Sequence, residues 1–309
     1  MPLHPEAEAF LKALRKAGAL NMEVTPAEIR ALFEKMPLNY KDAPTEFLEV
    51  HERNIPGPQR EIPLRIYKPL GSGPFPVLCY FHGGGFVAGS LETHDPVCRL
   101  LALQTPCIVV AVDYCLAPEY KFPAAPEDCY AATVWVSQQA PDIKGDLERL
   151  AVGGDSAGGN LAAVVSLMCR DRSGPSLLYQ LLAHPVTTMI PATHSYEEYG
   201  EGYFITKEMI SWFNAHYLTN RQDRSHPYAS PLLAQDLSNL PPALILSAEY
   251  DPLRDEGEIY ASKLQQAGCS AVLFRVMGQV HPFFVPGFSA GKLAVSAAAG
   301  ALRMAFSGR

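Results

Sequence analysis

Several features are scarce or missing in this 309-residue chain, and each absence removes a class of function. Lys and Arg never cluster: 25 basic residues stand against 32 acidic ones, for a formal charge of −7. With a pI near 5.7 and no basic tail, a nucleic-acid partner is excluded. The seven cysteines, at 79, 98, 107, 115, 129, 169 and 269, form no C-x-x-C and no paired spacing. They read as buried, reduced thiols, with neither a disulfide framework nor a metal site. No apolar stretch reaches the ~20 residues of a bilayer crossing. The best candidate, "LAVSAAAGALRMAF", is short and broken by Gly and Arg. The opening "MPLHPEAEAFLKALRKAGAL" has early acids and an amphipathic pattern, and lacks the basic-then-apolar order of a secretory signal. A cytoplasmic protein without a membrane span is the expectation. There is also no internal repeat and no low-complexity linker.

What is present is an ordinary globular balance, 48% hydrophobic and 18% charged, which does not suit disorder. Two helical patterns come first, over 5–18 and 26–36, the second capped by Thr25 with Pro26 at its first position. "TEFLEVHERNI" and "REIPLRIYKP", separated by "PGPQ", read as a hairpin. Strands and helices then alternate. Strands are expected at 76–81, 107–114, 150–154 and 177–185, with helices at 94–104, 126–139 and 157–171 between them. The alternation breaks over 187–230, which is polar and aromatic with one helix near 206–218. It resumes with strand 243–251, helix 254–267, strand 271–276 and a last helix near 288–305. Alternation with nearly continuous apolar strands predicts an α/β fold, a mostly parallel sheet covered on both faces. Ligands in such sheets bind beyond the carboxyl ends of the strands.

At one of those ends stands "AVGGDSAGGN", with Ser156 between Gly154 and Gly158 at the turn from strand to helix. G-x-S-x-G in that context is a nucleophile elbow, which lifts a hydroxyl above the sheet edge where bulky neighbours would clash. The 18 serines and 23 glycines of the chain would produce about 0.1 copies of the bare motif by chance. In this arrangement the partners follow in the order serine, acid, histidine. His281 is the only histidine beyond residue 226, and Asp251 ends a late strand. Glu249 and Asp255 are rival carboxylates, Asp255 being expected inside a helix. "FHGGGF" follows another strand and offers the N–H groups of Gly84 and Gly85, joined by that of Ala157, as an oxyanion hole. His82 ends its strand without an acidic or histidine partner at ligand spacing, so it reads as structural, orienting the glycine loop. Phe204, Met209 and Phe213, the last two spaced i, i+4 on the expected insertion helix, are offered as substrate-pocket residues.

With these residues in view, the sequence resembles the hormone-sensitive-lipase-like carboxylesterases, the bacterial family IV esterases of the α/β-hydrolase fold. The resemblance rests on "HGGGF" (82–86), "DYCLAPEYKFPAAPED" (113–128), "GDSAGGNLA" (154–162), "GYFITKEMISWFNAHYL" (202–218), "SPLLAQDLSNLPPALILSAEYDPLRDEG" (230–257) and "VMGQVHPFF" (276–284). It implies a serine carboxylesterase without cofactor that prefers short to medium acyl chains. Its nucleophile would be Ser156, its acid Asp251 and its base His281, with Gly84, Gly85 and Ala157 at the oxyanion. It implies a cap as well: N-terminal helices within 1–50 and an insertion over 187–230, above a catalytic core of 51–186 and 231–309. The expected partner is a small-molecule ester, with a homodimer left open. Departures from the family are Cys115 for Arg, Pro282 for Gly and His184 for Tyr.

Two other classes fit parts of the sequence. "GGGFVA" over 83–88 with Asp113 fits a dinucleotide fingerprint, but "GSLETHD" separates the loop from the next helix. A receptor of this superfamily would lack the histidine present here at 281. Amide or lactone hydrolysis would share the same acyl-enzyme chemistry.

Overall fold

The computed structural model describes residues 2–16, 24–35, 47–285 and 288–308. Two helices open it, α1 (Pro5–Lys16) and α2 (Pro26–Glu34). Thr25 caps α2 as expected: its hydroxyl accepts from Glu28 N while Glu28 Oε2 accepts from Thr25 N, satisfying two donors of the first turn. The end of the expected first helix, at 17 and 18, lies outside the described residues, as does residue 36. The hairpin is β1 (Leu48–Ile55) and β2 (Ile62–Pro69), antiparallel in full register from Leu48 opposite Pro69 to Ile55 opposite Ile62.

The alternating region follows as β3 (Phe75–Phe81), α3 (Leu91–Gln104), β4 (Ile108–Val112), α4 (Ala124–Gln139), β5 (Gly145–Asp155), α5 (Ala157–Asp171) and β6 (Tyr179–Ala183). After it come α6 (His194–Tyr199), α7 (Lys207–Tyr217), β7 (Ala243–Tyr250), α8 (Arg254–Gln266), β8 (Ala271–Val280) and α9 (Ser289–Ser307). The eight strands form one sheet in the order β1-β2-β4-β3-β5-β6-β7-β8. Only β2 runs against its neighbours, so the sheet is mostly parallel, as expected for this α/β chain.

Alternate side chains of the inner strands fill two separate cores. In β4, Ile108, Val110 and Val112 join one cluster with Cys129 and Ala132 of α4, Leu161 of α5 and Leu264 of α8. Val109 and Ala111 join the other, with Leu101 of α3 and Val295 and Leu302 of α9. Both faces are therefore covered, which is why these strands are apolar throughout instead of alternating. All seven cysteines are free and buried within this packing. No helix among the described residues is long and apolar enough to cross a membrane.

The strands expected at 107–114 and 177–185 are shorter, at Ile108–Val112 and Tyr179–Ala183, and four larger departures follow. Helix α3 starts at Leu91, not 94, because Ser90 caps it and Thr93 returns the bond to Ser90 N. Strand β5 begins at Gly145 rather than 150. Strand β8 runs on to Val280: a register shift after Ala248 lets Tyr250 pair with Val280. Short α6 was not expected at all. It is held from outside, its Ser195 N–H donating to Asp255 and its Ser195 hydroxyl to Pro252 O.

Candidate active site

Strand β5 delivers Ser156 to the carboxyl edge of the sheet, and α5 begins at the next residue. Its backbone is held in a strained turn, with φ +53° and ψ −116°. The turn is locked from three sides: Ser156 N donates to Ala183 O at 2.8 Å, and Ser156 O accepts from Asn160 N and Val186 N. The flanking glycines have a steric reason. A Cβ at Gly158 would overlap Phe81 O at the end of β3, and one at Gly154 would overlap both Phe81 O and Gly158 itself. This is the crowding of strand and helix that the motif implied.

Asp251 and His281 arrive directly at the ends of β7 and β8. His281 Nδ1 lies 2.8 Å from Asp251 Oδ2, and His281 Nε2 lies 2.8 Å from Ser156 Oγ. Asp251 is 0% exposed and His281 3%, so these bonds form out of water. A carboxylate only accepts, which puts the imidazole proton on Nδ1 and leaves the Nε2 lone pair for the serine hydroxyl. Asp251 Oδ1 is occupied separately, accepting from Leu253 N at 2.8 Å. The rival acids are engaged elsewhere: Asp255 lies inside α8 and takes Ser195 N–H, while Glu249 takes Gly278 N–H.

Across from the serine, the 83–88 loop folds back on itself, with Ala88 N donating to Gly84 O at 2.9 Å. Gly84 and Gly85 sit at φ +122° and +62°, a region that favours glycine. Their N–H groups and that of Ala157 have no acceptor among the described residues. Ala157 also stands at the positive end of α5. The loop leads to Ser90 and α3 rather than opening directly into a helix, so the dinucleotide pattern of 83–88 lacks its helix N-terminus. His82 is buried behind the loop. Its ring stacks on Tyr114 at 4.3 Å, its Nδ1 lies 2.8 Å from Gly83 O, and burial lowers its pKa to about 3, so it stays neutral.

A single cavity joins these parts. Ser156, His281, Gly84 and Gly85 line it, and so do Phe204, Met209 and Phe213, all three of the expected pocket residues. Phe213 packs so closely on Gly85 that a Cβ there would enter its ring. Sequence reading missed Phe33 on α2, Ile210 on α7 and the pair His94 and Asp155. Phe33 is the penultimate residue of α2, whose capped start was legible, and Ile210 adjoins the Met209–Phe213 stripe, so a wider search of those helices could have found both. Arg60 of the hairpin region reaches Cys115 Sγ at 3.3 Å and Asp113 O at 2.9 Å. Pro282 lies in the cavity wall after His281. His184 packs its ring edgewise on His281 at 4.5 Å, and burial lowers its pKa to about 3.

One buried acid beneath the site makes a stability prediction. Glu256 of α8 is 0% exposed and accepts from Thr187 N and Thr188 N at the start of the 187–230 segment. Burial raises its pKa to about 8; the two amide donors oppose the rise and the charge of Asp251 adds to it. Its folded value exceeds its ordinary one, so the fold holds this proton more tightly than the unfolded chain does. That contribution is complete at acid pH and is lost as pH climbs toward 8. Glu256→Gln keeps an oxygen for both amides. Its Tm is therefore expected to decline less than the parent's from about pH 5 to about pH 9, and to exceed it at the upper end. Parallel Tm profiles would contradict this.

The comparisons with known proteins agree with the geometry. A family model described as alpha/beta hydrolase fold matches residues 78–285. The chain is 46% identical to the carboxylic ester hydrolase LipN of Mycobacterium tuberculosis, over 94% of this chain and 78% of that one. It is 39% identical to an arylesterase of Saccharolobus solfataricus, over 92% of each. Among solved structures, a hyperthermophilic esterase from the archaeon Pyrobaculum calidifontis superposes with a TM-score of 0.94 at 44% identity, covering 99% of this chain and 100% of that one.

Proposed function

This chain belongs to the alpha/beta hydrolase family, in its hormone-sensitive-lipase-like branch of esterases, and from that premise we propose that it hydrolyses small carboxylic esters through Ser156, His281 and Asp251. The observation that carries the assignment is the unbroken run of 2.8 Å contacts from Asp251 through His281 to Ser156, opening on a cavity edged by free N–H groups.

In the proposed cycle, His281 Nε2 takes the Ser156 proton as Oγ attacks the ester carbonyl. Negative charge builds on the former carbonyl oxygen, and the N–H groups of Gly84, Gly85 and Ala157 meet it. One such donor is worth about 10²–10³ in rate. Asp251 holds the reactive tautomer and steadies the imidazolium. His281 returns the proton to the leaving alcohol, and water then takes the same route to release the acid.

The division into core and cap is part of the same reading: residues 51–186 and 231–309 as catalytic core, with 187–230 and the N-terminal helices as cap. Contacts between the two cap pieces support it. Phe10 packs on Phe204 at 5.6 Å, and Arg15 donates to Gly202 O at 2.9 Å. Arg30 of α2 also donates to Val87 O, which ties that helix to the oxyanion loop.

A series of 4-nitrophenyl esters from acetate to laurate tests the substrate class, with the matching anilide and lactones as controls. Short and medium esters should turn over fastest; absence of turnover on any ester would overturn the reading. Met209→Ala and Phe213→Ala widen the cavity above the serine, so the ratio of kcat/KM for octanoate over acetate should rise roughly tenfold in at least one of them. An unchanged ratio in both would return these residues to plain packing.

A further inference from the structure

A second buried acid–histidine pair stands on the other side of the nucleophile. Asp155 ends β5 immediately before Ser156 and is 4% exposed. Its Oδ1 accepts from the Tyr80 hydroxyl at 2.8 Å and from Gly83 N at 3.2 Å. His94, brought in by α3, places Nε2 at 3.2 Å from Oδ1 and 3.4 Å from Oδ2. Its other nitrogen, Nδ1, lies 2.8 Å from Thr93 Oγ1. Gly83 N is also 3.2 Å from His94 Nε2. Because the carboxylate can only accept, Nε2 must present its proton to Asp155, and the Gly83 N–H is left to the carboxylate as well. Burial alone would raise the Asp155 pKa, but the charge and hydrogen bond of His94, with the Tyr80 hydroxyl, hold it well below the usual carboxylate range.

We propose that Asp155 and His94 are positioning residues that hold the oxyanion loop in register with the nucleophile. The proposal rests on the esterase reading above and deepens it. Gly83 directly precedes Gly84 and Gly85, and a Cβ at Gly83 would enter the Asp155 carboxylate, so loop and acid are in closest approach. Asp155 is bonded in sequence to Ser156 and in space to Gly83. It therefore joins, through one side chain, the two elements whose separation sets where the oxyanion meets its donors. A displacement of about 1 Å at such a site costs on the order of 10²-fold in rate. His94 acts one step further back, orienting the carboxylate. Neither residue exchanges a proton with substrate in this account. The pair repeats the chemistry of Asp251 and His281 but uses it to hold backbone.

The test uses the whole enzyme with 4-nitrophenyl butyrate and a trifluoromethyl ketone, whose serine adduct carries an oxyanion. Asp155→Ala should lower kcat by about 10²-fold with KM changed less than about threefold, and weaken ketone binding by a similar factor. His94→Leu should lower kcat by about tenfold or more, and His94→Gln, which keeps an N–H donor, should recover most of that loss. The two His94 variants carry the test if Asp155→Ala does not fold. Unchanged kcat in Asp155→Ala, a fall in kcat with unchanged ketone affinity, or equal impairment of His94→Gln and His94→Leu would overturn the proposal. A parent enzyme that neither turns over the ester nor binds the ketone would instead overturn the esterase reading, so the two failures are distinguishable.

Discussion

Ser156→Ala is expected to lower kcat on the order of 10⁵–10⁶-fold while the chain folds as before. The size follows from what the hydroxyl does and the specificity from what it does not do. Its Oγ bonds His281 Nε2, and the three backbone bonds that lock the turn, to Ala183 O and from Asn160 N and Val186 N, do not involve the side chain. Alanine carries the same Cβ as serine, so the strained φ of +53° is no worse in the variant. Circular dichroism and Tm should therefore stay close to the parent's while turnover disappears. The residue of activity should be the part supplied by binding and by the N–H donors, about 10³–10⁴ over water. Ester turnover within tenfold of the parent would remove Ser156 from the mechanism.

The second large effect belongs to Asp251→Asn, for which a loss of about 10⁴-fold in kcat is expected although the shape is unchanged. The local hydrogen bonds say why an isosteric change is so damaging here. Leu253 N donates to Asp251 Oδ1, so an asparagine would place its carbonyl oxygen there and turn its NH₂ toward His281. An amide donor facing Nδ1 requires a lone pair on Nδ1, which moves the ring proton to Nε2. In that tautomer His281 offers Ser156 a donor where it needs an acceptor. KM should change little, since Asp251 is 0% exposed and touches no substrate in this account. The check is a steady-state comparison of the parent, Asp251→Asn and Ser156→Ala on one ester. Parent-like kcat in Asp251→Asn would show that the carboxylate does not set the tautomer.

How much of this was legible in the sequence depends on whether the information was local. Ser156 announced itself because both flanking glycines are demanded by one turn. His281 did so because no other histidine follows the insertion, and Asp251 because it closes a strand. The sheet was legible because strands buried on both faces stay apolar along their length, as in Ile108–Val112. Gly84 and Gly85 were singled out by a loop pattern and Met209 and Phe213 by a helical spacing, with Phe204 offered beside them, and all five line the same cavity.

What escaped was decided across the chain. Short α6 has a local cap in Thr193, but it is also held by Asp255, 60 residues away, which takes its Ser195 N–H. The last turn of β8 pairs only because its partner strand shifts register after Ala248. Ser90 was overlooked as a cap because its return partner is Thr93, not the Glu or Gln of the usual pattern. The link from His94 to Asp155 spans 61 residues, and no spacing rule connects a mid-sequence histidine with an acid in a different element.

The most direct test of the account is labelling with a serine-directed phosphonate, followed by intact-mass and peptide mass spectrometry. One phosphonyl group per chain is predicted, on Ser156, with esterase activity falling in proportion to its incorporation. Labelling should be absent in Ser156→Ala and greatly slowed in His281→Ala. Loss of activity with the phosphonyl group on another residue, or full activity in a chain whose Ser156 is completely modified, would contradict it.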